Sequence, residues 1–107
     1  MKKLLLSTAV ALTLATTAQA ASHSEKVKLG VLLGFTGPIE STVKEMGPAA
    51  DMAIAEVNAA GGILGGKMVE AVRADSTCVD SAAATAAAER LITSDKVAGI
   101  VGADCSG

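Results

Sequence analysis

The chain is short of aromatic residues, because Phe35 is the only one among its 107 residues and tryptophan and tyrosine are absent. Aromatic rings supply much of the buried area in most cores, so a core here has to be built from aliphatic side chains and methionine. Histidine is equally scarce, with His23 alone. Since the two cysteines are also far apart, a metal site of the usual cysteine and histidine kind is not predicted, and neither is a cofactor.

Positive charge is in the minority as well. Nine lysines and arginines stand against eleven acidic residues, which gives a net charge of −2. The net charge becomes more negative if Lys2 and Lys3 are removed by cleavage of an N-terminal signal. Nothing in the sequence clusters into a basic patch, so nucleic acid and anionic membrane surfaces are not expected partners.

The first twenty residues have the pattern of an export signal. Lys2 and Lys3 precede a largely apolar run over 4–15, and Ala18-Gln19-Ala20 has the small-residue spacing of a cleavage site. The run is shorter than the roughly 20 residues of a membrane span. We therefore predict a signal peptide over 1–20, cleaved after Ala20, in preference to a buried or transmembrane helix. Residues 21–26 are polar and small and are predicted to be a flexible leader.

Hydrophobic periodicity divides the rest of the chain into alternating strands and helices. Strands are predicted over 27–34, 68–74 and 97–101, and residues 35–42 are predicted to be a loop. The first helix has Pro48 in its first turn and ends by Gly61-Gly62. The second begins at Asp80 or Ser81, either of which is a good N-cap. The apolar stripes of the two helices are predicted to be Met46, Ala50, Ala53, Ile54 and Val57, and Ala84, Ala87, Ala88, Leu91 and Ile92.

The β-α-β-α-β order predicts an α/β fold with a parallel sheet, right-handed crossovers and helices on both faces. In such a doubly wound sheet the third strand leads into a further helix. We therefore interpret residues 27–107 as an incomplete lobe, to which further β-α units belong.

Cys78 and Cys105 are predicted to form a disulfide, because an exported chain reaches an oxidising compartment. Closing a loop of this size stabilises a protein by about 3.5 kcal/mol. The alternatives are two free structural thiols or, less favoured, a metal site.

Candidate binding residues lie in two loops. Ligands of open α/β sheets bind beyond the carboxyl ends of the strands, which here points to 34–42 and 102–107. The hydroxyl of Ser106 and the backbone amides beside it would suit a carboxylate, although Ser106 could equally be a plain helix N-cap. The glycines do not match the strand-to-helix order of a nucleotide-binding loop. An exported enzyme is the competing class, but Glu40 and Asp104 are only a weak pair of loop carboxylates.

Four segments carry a resemblance to a known family. Residues 29–38 (LGVLLGFTGP) resemble the opening strand and loop of periplasmic leucine/isoleucine/valine-type solute-binding proteins, and 53–63 (AIAEVNAAGGI) resemble the helix end that follows. Residues 75–78 and 102–106 are similar to the paired cysteine segments of that family. The Asn-Ala-x-Gly-Gly run is the most specific part.

The resemblance implies a two-lobed periplasmic receptor of type I, with a three-layer parallel sheet in each lobe, that delivers an amino acid or related solute to an ABC permease in the membrane. It implies that Cys78 pairs with Cys105 and that Ser106, with Gly107 beside it, contacts the α-carboxylate of the ligand. It also implies a contribution from Ser41 or Thr42, where some relatives carry an aromatic residue. A sensor that passes an amino acid signal to a regulator is the alternative within the binding class.

Overall fold

The computed structural model describes residues 25–106, and within them strands and helices alternate. The predicted β-α-β-α-β order is confirmed, with one short helix added. The elements are β1 (Val27–Leu33), α1 (Glu40–Val43), α2 (Met46–Ala59), β2 (Val69–Asp75), α3 (Ser81–Thr93) and β3 (Gly99–Val101). The predicted signal peptide, most of the predicted leader and Gly107 lie outside the described residues.

The three strands form one parallel sheet in the order β2-β1-β3. Val27 lies opposite Val69 on one side of β1, and Leu29 lies opposite Gly99 on the other. As the central strand, β1 is covered on both faces. This position explains why the second half of β1 is an uninterrupted apolar run whose residues are buried.

The two long helices cover opposite faces of this sheet. Successive side chains of a strand point to opposite sides. On one side Leu32 packs with Ala74 of β2 and Leu91 of α3 in the buried cluster of the core. On the other side Leu29 and Val31 line a groove with α2. The three-layer arrangement predicted for the lobe is therefore confirmed.

The apolar stripe of α2 faces the sheet but does not close fully on it. Between α2 and the sheet runs an apolar groove of about 430 Å³, to which Ala50, Ala53, Ile54 and Val57 all contribute. Met46, the first predicted member of the stripe, is largely exposed instead. Its position at the start of the helix leaves it beyond the end of the groove.

Three details of the sequence prediction were wrong. The predicted loop 35–42 ends in helix α1, because Ile39 and Val43 lie one turn apart and the Ile39 carbonyl accepts a hydrogen bond from the Val43 amide at 3.1 Å. β3 begins at Gly99 rather than at residue 97. On α3, Leu91 is fully buried whereas Ile92 is 56% exposed, since neighbouring residues on a helix point about 100° apart.

The two long helices have the N-cap and the terminal glycines that the sequence predicts. The Asp80 carboxylate accepts hydrogen bonds from the amides of Ala82 and Ala83 at 2.9 and 3.0 Å, which makes Asp80 the N-cap of α3. α2 ends at Ala59, and Gly61 and Gly62 follow with φ of 104° and 78°. Glycine adopts these left-handed angles without steric penalty.

Two side chains bind backbone groups of β2, which is an edge strand. The Asn58 side chain accepts from the Val69 amide at 2.7 Å and donates to the Val69 carbonyl at 2.9 Å, as a neighbouring strand would. Arg90 donates to the Arg73 carbonyl at 2.9 Å. Asn58 is the asparagine of the Asn-Ala-x-Gly-Gly run, so this residue of the motif ties the end of α2 to the start of β2.

Candidate functional site

The loops that follow the three strands meet at one edge of the sheet, because parallel strands all end on the same side. They comprise residues 34–39 after β1, 76–80 after β2 and 102–106 after β3. This is the edge at which open α/β sheets bind ligands. Three sets of side-chain contacts hold the loops together.

The first contact is covalent. Cys78 and Cys105 form a disulfide with their Cα atoms 5.5 Å apart, and it joins the loop after β2 to the loop after β3. The pairing predicted from the sequence is confirmed. The bond also fixes the residue immediately before Ser106.

The second contact is the carboxylate of Asp104, which reaches the ends of both other strands. Its two oxygens accept the Gly34 amide at 3.1 and 3.2 Å, and one of them accepts the Ser76 hydroxyl at 3.3 Å. Ser76 is only 2% exposed, so its hydroxyl needs this partner. The sequence predicted no contact for Asp104, which was only one of a weak pair of loop carboxylates. Its place in the loop that follows β3, at the carboxyl edge of the sheet, was the signal that it could bind the neighbouring strand ends.

The third contact is the carboxylate of Asp75 at the end of β2. It accepts the Thr36 hydroxyl at 2.6 Å and the amides of Thr36 and Thr77 at 3.3 and 2.8 Å. Burial acts to raise the pKa of Asp75, but these hydrogen bonds outweigh it and hold the pKa below its ordinary value. The charged form of Asp75 therefore links the first loop to the second.

Acid is expected to weaken this tie. Because the folded-state pKa of Asp75 is lowered, its contribution to stability is present above the ordinary carboxyl value of about 3.9 and is lost as the pH falls through the folded-state value. Urea unfolding of the complete protein between pH 6 and 3 measures how its stability falls with pH. Asp75→Asn should flatten the loss of stability at the acid end. An equal slope in the wild type and in Asp75→Asn would contradict the assignment.

The first two loops also touch through their backbones. Gly37 has a φ of 96°, and a Cβ atom at this position would overlap the carbonyl oxygen of Thr77. Only glycine combines this angle with so close an approach. Gly37 therefore sets the spacing between the two loops.

Arg73 and Phe35 form a separate cluster beside the first loop. The Arg73 guanidinium lies 5.3 Å from the centre of the Phe35 ring, a cation–π distance. Arg73 also makes an ion pair with Asp51 of α2. Gly47 packs beneath both Phe35 and Arg73. The single aromatic side chain of the protein is thus held at the start of the first loop, which the sequence did not indicate.

The structure places the predicted binding residues apart from one another. Ser106 is exposed and follows Cys105, which lines a cavity of about 260 Å³ with Ser76, Cys78 and Ala103. Ser41 lies on α1 and lines a different cavity, of about 680 Å³, with Phe35 and Arg73. Thr42 is exposed on the same helix. The described residues thus do not bring Ser41 and Ser106 into one cavity.

Residues 25–106 contain no group of three or more histidine, cysteine, aspartate or glutamate side chains arranged to hold a metal ion. None of the helices in that range is long and apolar enough to cross a membrane.

Residues 26–107 match the family model described as periplasmic binding protein. The Leu/Ile/Val-binding protein homolog 7 of Brucella melitensis biotype 1 is 40% identical over all 107 residues, and the homolog 7 of Brucella abortus strain 2308 is 41% identical over 90 residues, or 84% of the chain. These alignments cover 25% and 22% of the respective relatives, so the chain spans about a quarter of their length.

A solved structure has the same fold. The branched-chain amino acid transporter substrate-binding protein LivJ of Streptococcus pneumoniae, in complex with isoleucine, superposes on 74% of this chain with a TM-score of 0.67 and 32% sequence identity, and the match covers 22% of that protein. Because the family model covers most of the residues, the chain belongs to the periplasmic binding protein family.

Proposed function

We propose that the protein is an extracytoplasmic receptor that binds an amino acid with an aliphatic side chain and delivers it to an ABC importer. The names of its relatives support the substrate class, since the Brucella proteins are called Leu/Ile/Val-binding homologues and the Streptococcus protein was solved with isoleucine. The predicted signal peptide over 1–20, cleaved after Ala20, supports a periplasmic location, where such a receptor meets its membrane permease.

The observation that carries the proposal is the construction of the carboxyl edge of the sheet. A disulfide and two aspartates fix three loops against one another. Loops held in this way can present hydrogen-bond donors in a fixed arrangement, which lowers the entropic cost of ordering a site when the ligand binds.

Ser106 is the proposed contact for the α-carboxylate of the ligand. Its hydroxyl can donate a hydrogen bond, and the backbone amide of Gly107 would be a second donor. Ser41 and Thr42 are proposed to contribute from α1, which follows the first loop. Their small side chains, where some relatives have an aromatic residue, leave more room at that position for the ligand.

Binding rather than catalysis is proposed, with two lobes closing on the ligand. Closure would exclude water from the charged groups of the amino acid, and the permease would recognise the closed form. The sequence provides little for an enzyme, since its one histidine, His23, falls in the predicted leader.

The proposal is tested with the complete product of the reading frame that encodes this chain. Its melting temperature is measured with each of the twenty amino acids, and hits are followed by calorimetry. Leucine, isoleucine or valine should raise the melting temperature by several degrees at concentrations well above Kd, because a ligand that binds only the folded state stabilises it. Failure of every amino acid to bind would reject the proposal.

Ser106→Ala is expected to weaken binding of the preferred amino acid by about 10-fold to 100-fold. A hydrogen bond to a charged group contributes about 1.5–3 kcal/mol. Calorimetry on the complete protein gives the Kd. Ser94→Ala is the matched control, because Ser94 follows the last turn of α3, away from the loops. Ser41→Ala tests the first loop in the same way. An unchanged Kd in Ser106→Ala would show that Ser106 is only a helix cap.

A further inference from the structure

We infer that Asp104 is a positioning residue for the binding site. It acts by fixing the position of the chain at Ser106 relative to the ends of β1 and β2. The inference rests on the proposed function. It adds a role for a residue that would not touch the ligand itself.

The geometry of the loop after β3 is the first reason. Asp104, Cys105 and Ser106 are consecutive, and the first two are each anchored to a different part of the site. Cys105 is anchored to the loop after β2 through the disulfide. Asp104 is anchored to the end of β1 through the Gly34 amide and to the residue after β2 through the Ser76 hydroxyl. Ser106 therefore comes directly after two residues whose positions are fixed.

The disulfide alone would leave this segment free to pivot. A single cross-link fixes one point of a loop, and rotation about the bonds on either side of it remains possible. The Asp104 carboxylate, one residue away, adds a contact to the end of β1 and a second contact to the loop after β2. Two anchors in neighbouring residues determine the direction in which the next residue points, and this sets where the Ser106 hydroxyl lies.

The surroundings of Asp104 are the second reason. None of the ion pairs among residues 25–106 includes it, since these join Lys26 to Glu70, Arg73 to Asp51 and Arg90 to Asp95. Its contacts are instead a backbone amide and a hydroxyl. Gly34 itself has little space around it, because a Cβ atom there would come within 3.0 Å of Ile39. The carboxylate therefore binds a backbone group whose own position is already fixed by packing.

Asparagine should preserve most of this arrangement. Its carbonyl oxygen can take the place of the carboxylate oxygen that accepts both the Gly34 amide at 3.1 Å and the Ser76 hydroxyl at 3.3 Å. Alanine removes both contacts. A role in positioning thus predicts that the affinity of Asp104→Asn for the ligand lies within about threefold of the wild-type affinity. Asp104→Ala should bind the ligand about 10-fold to 100-fold more weakly, because small displacements of a binding group have effects of this size.

The experiment is a double-mutant cycle on the complete protein, with L-isoleucine as the ligand and calorimetry to measure Kd. The variants are Asp104→Ala, Ser106→Ala and the two combined. If Asp104 acts through Ser106, the combined variant should bind no more than about threefold more weakly than Ser106→Ala alone. Additive losses, which a general structural effect would produce, overturn the inference.

Two further variants keep the test decisive if Asp104→Ala is poorly folded. Ser76→Ala removes one of the same contacts from the other side without changing any charge. It should weaken binding by a smaller factor, and that loss should also vanish when Ser106 is already alanine. Asp95→Ala is the surface control, whose affinity should equal that of the wild type. An equal loss in Asp104→Asn and Asp104→Ala overturns the inference, because charge rather than geometry would then matter.

The outcomes separate this inference from the proposed function. A wild type that binds isoleucine, with Asp104→Ala binding equally well, overturns the role of Asp104 and leaves the receptor proposal standing. A wild type that binds no amino acid rejects both.

Discussion

Replacing Cys78 and Cys105 together by serine is expected to lower the free energy of unfolding by about 3.5 kcal/mol. The disulfide spans 27 residues of sequence, and that segment includes all of α3 and β3. Without the cross-link the unfolded chain gains the conformational freedom of this loop. Guanidinium unfolding of the complete protein, followed by circular dichroism, measures the difference.

The double variant is the right comparison because either single variant would leave a reactive thiol. Wild-type protein under strong reductant is an independent version of the same change and should unfold at the same denaturant concentration as the double variant. Val79→Ala, at an exposed position in the same loop, is the matched control and should have little effect. A loss below 1 kcal/mol in the double variant would mean that the reduced loop keeps most of its order in the unfolded state.

Leu91→Ala is expected to cost about 3–5 kcal/mol of stability. Leu91 is fully buried and is the largest fully buried side chain among residues 25–106. It packs between Leu32 of β1 and Ala74 of β2, and its tip would lie 3.0 Å from a Cβ atom added at Gly30. A core without large aromatic groups has few other side chains able to move into the space, so the cavity should remain largely open.

Ile92→Ala is the matched control for this prediction. It removes a side chain of similar size from the neighbouring position of the same helix, but Ile92 is largely exposed. Its cost should stay below about 1 kcal/mol. Thermal unfolding of both variants measures the two losses of stability. Equal losses would contradict an orientation of α3 in which Leu91 faces the sheet and Ile92 does not.

The contrast between these two residues shows how far periodicity can predict the fold. A helical stripe identifies a face about 100° wide, and both Leu91 and Ile92 fall within it. Which of them points at the sheet depends on the rotation of α3, which is set by its contacts with Gly30 and Ile100 across the layer. The strand and helix order could be predicted because it depends on local patterns, whereas the rotation depends on the partner surface.

The same distinction applies to the candidate site. The disulfide was predictable because export and the count of two cysteines leave few alternatives. The roles of Asp75 and Asp104 were not, because an aspartate after a strand has the same local sequence pattern whether it is solvated or bound to a neighbouring loop. Helix α1 was missed for a related reason, since four residues carry too short a pattern to distinguish a helical turn from a loop.

The Asn58 and Arg90 contacts with β2 have a consequence for solubility. An exposed edge strand offers free amides and carbonyls on which a strand of another molecule can pair, and this is a common route to aggregation. Here the amide and carbonyl of Val69 are occupied by Asn58, and the carbonyl of Arg73 is occupied by Arg90. Intermolecular pairing along β2 would have to break these bonds first, so two side chains from different helices protect this edge of the sheet against misassembly.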